Sequence, residues 1–428
     1  MNAPSAFPAA PRSAAPFPGG ADGWPKSTVG WTVLIASCAF LLFLRKPWAL
    51  HTPQLWAEDG SIFLVQDEAM GVRAWWEPYN GYLHLLPRLI AWMASRTADV
   101  AWWPALYNGL AFALNVGVFV RLASPCVALP HKAGLMLAFV LVVGTGEVLI
   151  NVTNLQWLTA FYLLLQLFTT PAQTWRQRGA DLALLGVVGL NGPFPILFWP
   201  LFAIRAWRER NADTALALGI ITLCAATQGW FLSSVALNLQ SGAEPFRPLM
   251  FFSILGSRLV TWPLFGPAAV RAWPIWVHAV LAVTFLGALL GWSLRQGPRR
   301  PVRAMLVAAF VLVTGACMYR VRADTWNDDT LVNGDRYFYI SRVLVAWLVV
   351  LQIDAQPRAV AWVARGFCLL GVVMHVPHFS VPALPDYKWA QHCDPIRRGV
   401  PANIYTLPEG WWIEYPGRQN GTKAETAR

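Results

Sequence analysis

An all-α, polytopic transmembrane helix bundle with about 10–11 crossings is what this sequence predicts, and three observations predict it. The 428 residues are 56% hydrophobic, and the apolar residues fall in long runs; a run of about 18 or more reads as a membrane span. The 24 tryptophans suit a chain whose indole rings settle at headgroup level. The basic residues, in a net charge of +11, are scattered between the runs rather than gathered in a patch. That is the positive-inside pattern, and it argues against nucleic acid as a partner.

Residues 1–28 are rich in Pro, Ala and Gly without apolar periodicity and read as a disordered cytosolic tail. The first span, 29–44, follows a long leading segment and has no clear small-x-small cleavage site, so an uncleaved anchor is expected. An outer loop, 45–100, comes next. Inside it, 82–95 is short, apolar and interrupted by Pro87, as in an interfacial helix, and His84 and Arg88 share one face of it. Spans are expected at 102–120, 134–150 and 155–168, the last two joined by the polar turn NVTN at 151–154. Segment 182–206 is split at 189–193, GLNGP, into two short apolar halves. It forms either a hairpin with Asn191 at its tip or one broken helix. Irregular backbone at that depth needs a protein wall or a wet cavity, which makes the tip a candidate wall of the site. A span at 214–235, a long polar-aromatic loop at 238–273, and spans at 276–294, 304–318, 338–351 and 360–374 complete the bundle, 29–376.

With the hairpin alternative, the basic turns at 121–132, 176–178, 205–210, 295–303 and 358 lie on one side. The acidic loop, NVTN, NGPF, 238–273, 320–336 and the 377–428 tail lie on the other. The N-terminus is then cytosolic, the polar loops and the tail are non-cytosolic, and Arg45 and Lys46 run against the rule. The six cysteines form no CxxC pair, so neither a disulfide framework nor a metal knuckle is indicated.

Ionisable residues concentrate in 56–88, which holds Glu58, Asp59, Asp67, Glu68, Glu77, His84 and Arg88 in a chain only 13% charged. One charge at a bilayer centre costs about 2.5–3.5 kcal/mol on insertion scales, so this stretch belongs at the water interface. Glu58 or Asp59 can serve as a general base, worth about 10²–10⁴-fold. Asp-Gly at 59–60 is also an ordinary turn. Tyr79, Asn80, Tyr82 and His84, in PYNGYLH, suit a sugar through stacking and hydrogen bonds, and an interfacial aromatic belt accounts for them equally well. Asn151, Asn154 and Gln156 crowd a helix entrance, where Asn154 is by default an N-cap. Sequons begin at Asn151 and Asn420. Arg320, Arg322, Arg336 and Arg342 fall on the outer side, where charge bias does not require them; arginine binds phosphate bidentately. Pairing with Asp324, Asp328, Asp329 or Asp335 is the structural alternative. No P-loop, GxGxxG or HExxH motif is present.

An acidic pair in the first outer loop, interfacial helices and a polytopic bundle together resemble the GT-C superfamily of integral membrane glycosyltransferases. WAEDGSIFL, PYNGYLHLLPRLIA, NVTNLQW, NGPF and DRYFYISR, in that order over roughly 50–345, look like a bacterial polytopic group related to that superfamily. The resemblance implies transfer from a polyprenyl-phosphate-linked sugar to a lipid or glycan acceptor of the cell envelope, on the non-cytosolic face of the bacterial inner membrane. By that analogy Asp59, with Glu58 as the alternative, is the base. Arg336 and Arg88 hold the donor phosphate, while Tyr79, Asn80, His84, Asn154 and Asn191 line the sugar or acceptor. Displacement is expected to be inverting. No cofactor is expected: there is no His cluster, and one acidic pair is too little for a metal site, although a divalent ion stays open. A transporter or flippase of a lipid-linked saccharide, and a polysaccharide polymerase or ligase, are the competing functions. The absence of an internal repeat counts against the transporter.

Overall fold

The computed structural model describes residues 25–144, 146–234, 246–322 and 334–417. Helices dominate, and seven segments among the described residues are long and apolar enough to cross a membrane. They include α1 (Thr28–Arg45), capped by Ser27, whose side chain accepts from Gly30 N. Lipid-facing surface is recognisable on α1, where Val29, Val33, Phe40 and Leu44 are exposed. The short α2 (Trp48–His51) follows. A π-helical turn at Asp59–Leu64 then runs straight into α3 (Val65–Met70), and α4 (Leu85–Thr97) is the short amphipathic helix expected over 82–95. Next come α5 (Trp103–Ala123), α6 (Lys132–Leu141), α7 (Leu155–Gln166), α8 (Trp175–Gly189), α9 (Phe194–Glu209) and α10 (Ala212–Ser234).

The segment split at 189–193 is a hairpin. Asp181 near the start of α8 and Arg205 near the end of α9 line one cleft, whereas Leu190 and Gly192, between the two helices, bond to residues 83 and 85 at the far end. Gln228 of α10 fixes that tip: its Oε1 accepts from Leu83 N at 2.8 Å and its Nε2 donates to Leu83 O at 3.3 Å.

Two expectations are corrected. The span over 134–150 ends at Leu141, and 142–144 and 146–154 are irregular, mostly buried chain. Cations satisfy its carbonyls: Arg45 Nη1 donates to Val140 O at 2.9 Å, Arg342 Nη1 to Val143 O at 3.2 Å and Lys46 Nζ to Leu149 O at 2.7 Å. Positive charge at a helix C-terminus is favourable, which explains why Arg45 and Lys46 depart from the charge bias. Nor is 238–273 a loop throughout. It contains α11 (Pro248–Gly256), a π-helical turn and α12 (Trp262–Ala272), broken at Gly266, where φ is 80°. Then come α13 (Ile275–Leu281) and α14 (Gly287–Ser293). Ser253 Oγ donates to Ile275 O at 2.7 Å, and a Cβ on Gly256 would meet His278 O. Residues 253–256 therefore pack against 275–278, and the helix that starts at Pro248 runs through the π-helical turn without interruption as far as the kink at Gly266.

The chain finishes with α15 (Arg300–Arg322), α16 (Tyr339–Val350), α17 (Arg358–His375), α18 (Cys393–Arg398) and one antiparallel hairpin, β1 (Ala402–Thr406) and β2 (Trp411–Tyr415). The hairpin turns Ile404, Thr406, Ile413 and Tyr415 inward. It rests on the acidic loop: Leu407 N donates to Leu55 O at 3.2 Å, and Ile413 fills the space a Cβ on Gly60 would occupy, 2.2 Å from that atom. The expected disordered tail and the Asn420 sequon lie largely or wholly outside the described residues.

Candidate functional site

One end of the bundle brings together four separate stretches: 45–63, 79–88, 147–156 and 336–337. Trp56 and Ala57 open the acidic loop. Ala57 adopts a left-handed φ of 42°, a conformation that costs a non-glycine residue of order 1–3 kcal/mol and is held only by its surroundings. Here the restraint is backbone bonding of Ala57 N to Leu407 O in the C-terminal hairpin.

The two adjacent carboxylates point to different places. Asp59 is 0% exposed. Its Oδ2 accepts from Trp56 N at 3.2 Å and its Oδ1 from the Thr153 hydroxyl at 2.6 Å. Burial raises Asp59 to about 7, against the pull of those two bonds, and the neighbouring Glu58 raises it further. Glu58 is half-buried, and its Oε1 accepts from the Tyr79 hydroxyl at 3.0 Å. Asp59 therefore pins the acidic loop to the 151–154 turn, and Glu58 faces the aromatic cluster.

That cluster is built on a tight turn. Tyr79 N donates to Tyr82 O at 3.0 Å and Tyr82 N to Tyr79 O at 3.3 Å, with positive φ at both Asn80 and Gly81. This is the sequence chemistry of a type I′ hairpin turn, for which Asn-Gly is favoured. Asn80 serves the turn and is exposed, with its side chain against the Tyr79 hydroxyl. Tyr79, Tyr82 and Phe63 surround His84, with ring centroids 5.8, 4.8 and 5.5 Å from it. Burial, reinforced by Arg88, lowers His84 to about 3, so the imidazole is neutral. Burial also raises the Tyr82 hydroxyl to about 12, with Gln156, Tyr337, Arg336 and Glu58 all acting on it.

Arg88 lies on α4, one turn along from His84, its guanidinium 5.5 Å from the Phe63 ring. It is 1% exposed, and none of its three side-chain nitrogens has a hydrogen-bond partner among the described residues; neither has either nitrogen of His84. Burial lowers Arg88 to about 10, partly offset by Glu77, and it keeps its charge at neutral pH. Asn191 joins this group through backbone pairing with His84, and its Oδ1 is likewise unpartnered.

Other predicted residues are committed elsewhere. Arg336 is 41% exposed and paired with Glu147, not with an aspartate of its own loop, and stacks on Tyr337 at 5.4 Å. Asn154 makes no side-chain cap for α7 and donates instead to Glu147 O at 2.9 Å. Arg342 pairs with Asp335. Asp324, Asp328 and Asp329 fall outside the described residues, as does the side chain of Arg322. The sequon at Asn151 is buried.

Sequence reasoning missed Thr153 and Lys46. Lys46 Nζ lies 4.8 Å from the ring centroids of both Trp48 and Trp56, and burial lowers it to about 7, offset by Asp59 and Glu147. Its only signal in sequence was its departure from the positive-inside bias. No group of three or more His, Cys, Asp or Glu side chains that could hold a metal is present among the described residues. No family model, no curated protein and no solved structure matches this chain.

Proposed function

We propose that the protein is a membrane glycosyltransferase that moves a sugar from a polyprenyl-phosphate donor to a cell-envelope acceptor on the non-cytosolic face of the bacterial inner membrane. The observation that carries this reading is Arg88: a buried guanidinium without a hydrogen-bond partner, one aromatic ring away from the Glu58–Tyr79 pair. A buried charge left alone costs several kcal/mol, and an anionic ligand removes that cost. Phosphate attached to a sugar supplies the anion, and the rings of Tyr79, Tyr82 and Phe63 supply a surface for the sugar.

In this reading Glu58 is the base rather than Asp59, because a fully buried carboxylate holding two donors cannot reach an acceptor hydroxyl. Glu58 takes the acceptor proton as the acceptor oxygen bonds to the anomeric carbon. The bond from that carbon to the phosphate oxygen breaks, and the charge left on the polyprenyl phosphate is received by Arg88. Attack opposite the leaving group gives inversion.

The break at Gly266 within α12 supports a second reading, a flippase of lipid-linked saccharide, since broken helices are common in transporters. One experiment separates them. Purified protein in nanodiscs is offered a panel of polyprenyl-phosphate monosaccharides with cell-envelope lipids and glycans, wild type beside Glu58→Gln. Consumption of one donor by wild type and not by Glu58→Gln supports the transferase; binding without consumption, with every acceptor, supports the flippase.

A further inference from the structure

A second group of buried cations lies on the other side of the acidic loop. A narrow cleft is lined by Arg45, Tyr339, Asp335, Glu147 and residues 142, 144, 146, 148 and 149. Its two carboxylates are already neutralised, Asp335 by Arg342 and Glu147 by Arg336. Arg45 is not: it is buried, has no carboxylate within ion-pair distance among the described residues, and makes one hydrogen bond, to Val140 O, while its Nε has no partner. The Tyr339 hydroxyl is buried and unpartnered in the same wall, and both ring nitrogens of His375 are unpartnered across Phe379 from Arg45. Lys46 reaches the same backbone, donating to Gly146 O at 3.4 Å and Leu149 O at 2.7 Å. Apolar surface leads away from this cleft, with Phe40 and Leu44 exposed on α1 and Val372 and Val376 exposed at the end of α17.

We propose that this cleft holds the phosphate of a second membrane-borne molecule, its tail lying along α1 and α17, so that the acceptor is itself a phosphate-bearing lipid. Arg45 offers a fixed guanidinium and Tyr339 a hydroxyl donor, the pair a phosphate monoester recognises. Arg88 lies 5.5 Å from the Phe63 ring and Lys46 4.8 Å from the Trp56 ring, so both cation groups border the stretch 56–63 that carries Glu58. The assignment of the occupant as acceptor rests on the transferase reading; the existence of the site does not.

Native mass spectrometry of the purified protein with dodecyl phosphate, without any sugar, counts the sites directly. Two equivalents are expected on wild type, one on Arg45→Gln and one on Arg88→Gln. Tyr339→Phe, which keeps every packing contact of the ring, should weaken one equivalent by about tenfold, the scale of one lost hydrogen bond to a charged group. Arg45→Lys should restore part of what Arg45→Gln loses. Dodecanol should give no specific equivalents. Inorganic phosphate binding as well as dodecyl phosphate would assign a soluble anion and overturn the lipid. Two equivalents retained on both Arg45→Gln and Tyr339→Phe, or a single equivalent on wild type that only Arg88→Gln removes, would overturn the site. Absence of sugar transfer with both equivalents intact would instead overturn the transferase reading alone.

Discussion

At the end of the bundle where α8 starts and α9 finishes, buried or half-buried arginines have carboxylates in reach. Arg121 meets Asp181 at 2.8 Å, Arg205 meets Glu209 at 2.8 Å, Arg178 pairs with Asp213, and Arg299 meets Asp354 at 2.6 Å. At the opposite end, about 22 Å away along α8, Arg45 and Arg88 are buried at least as deeply without a carboxylate partner among the described residues, and His84 and Tyr339 sit beside them unsatisfied. Both ends use the same side chains. Paired charges hold helices together, whereas unpaired buried charges are a standing cost that only a ligand relieves. The contrast separates an end whose buried arginines are ion-paired from one where Arg45 and Arg88 are not, more sharply than the charge bias of the loops does.

Substitutions that break this contrast have their largest effect on turnover. Glu58→Gln should lower kcat by about 10²–10⁴-fold with the melting temperature unchanged; activity within threefold of wild type would remove Glu58 as base. Arginine removal should then act in opposite directions at the two ends. Arg205→Ala, which strands Glu209 in a buried pair, should cost about 3–5 kcal/mol of stability. Arg88→Met should be neutral or stabilising while transfer is lost, as when a functional residue has been kept at the expense of stability. Denaturation of both variants in nanodiscs checks the signs, and a large loss for Arg88→Met would mean that Arg88 has a structural partner.

The pH dependence sharpens the role of Asp59. Its folded value, about 7, lies above its ordinary value, so the folded state holds the proton more tightly and stability falls as pH rises from about 4 to about 7. The difference between wild type and Asp59→Asn should therefore grow across that window, on the order of 4 kcal/mol at its limit, and stay flat above it. A difference that does not change with pH would place Asp59 outside its buried setting. Gly60→Ala should cost about 1–3 kcal/mol by driving a methyl into Ile413, and Ile413→Ala should recover most of that loss in a double-mutant cycle. The smallest effect is expected at Arg397, whose exposed pairs with Asp99 and Asp394 should contribute nothing measurable when it is changed to Ala.

Much of the architecture follows from local sequence. Apolar run length located α1, α5, α10, α15 and α17, because a membrane-long helix is specified within its own 20 or so residues. The Asn80-Gly81 turn and the 189–193 break are likewise local, since each depends on residues able to adopt positive φ or unable to continue a helix. The gathering of basic turns at one end was legible for the same reason. The acidic loop stood out as a concentration of ionisable groups, because charge is scarce elsewhere in the chain.

Only the tertiary structure decided which of two adjacent carboxylates faces inward, since Asp59 is taken by Thr153, 94 residues away. It also gave Arg336 a partner 189 residues distant in Glu147, and brought Ile413 over Gly60. It made 248–272 a helix kinked at Gly266, where composition alone had suggested a loop, and ended α6 at Leu141, where hydropathy alone had continued the helix. The physical reason is common to all of these. Sequence periodicity fixes which face of a helix is apolar, but whether a buried polar group is satisfied depends on which distant element packs against it. The positions of Arg45, Lys46 and Arg88 are therefore facts of assembly, and their burial without an ion-pair partner among the described residues could not be read before assembly was seen.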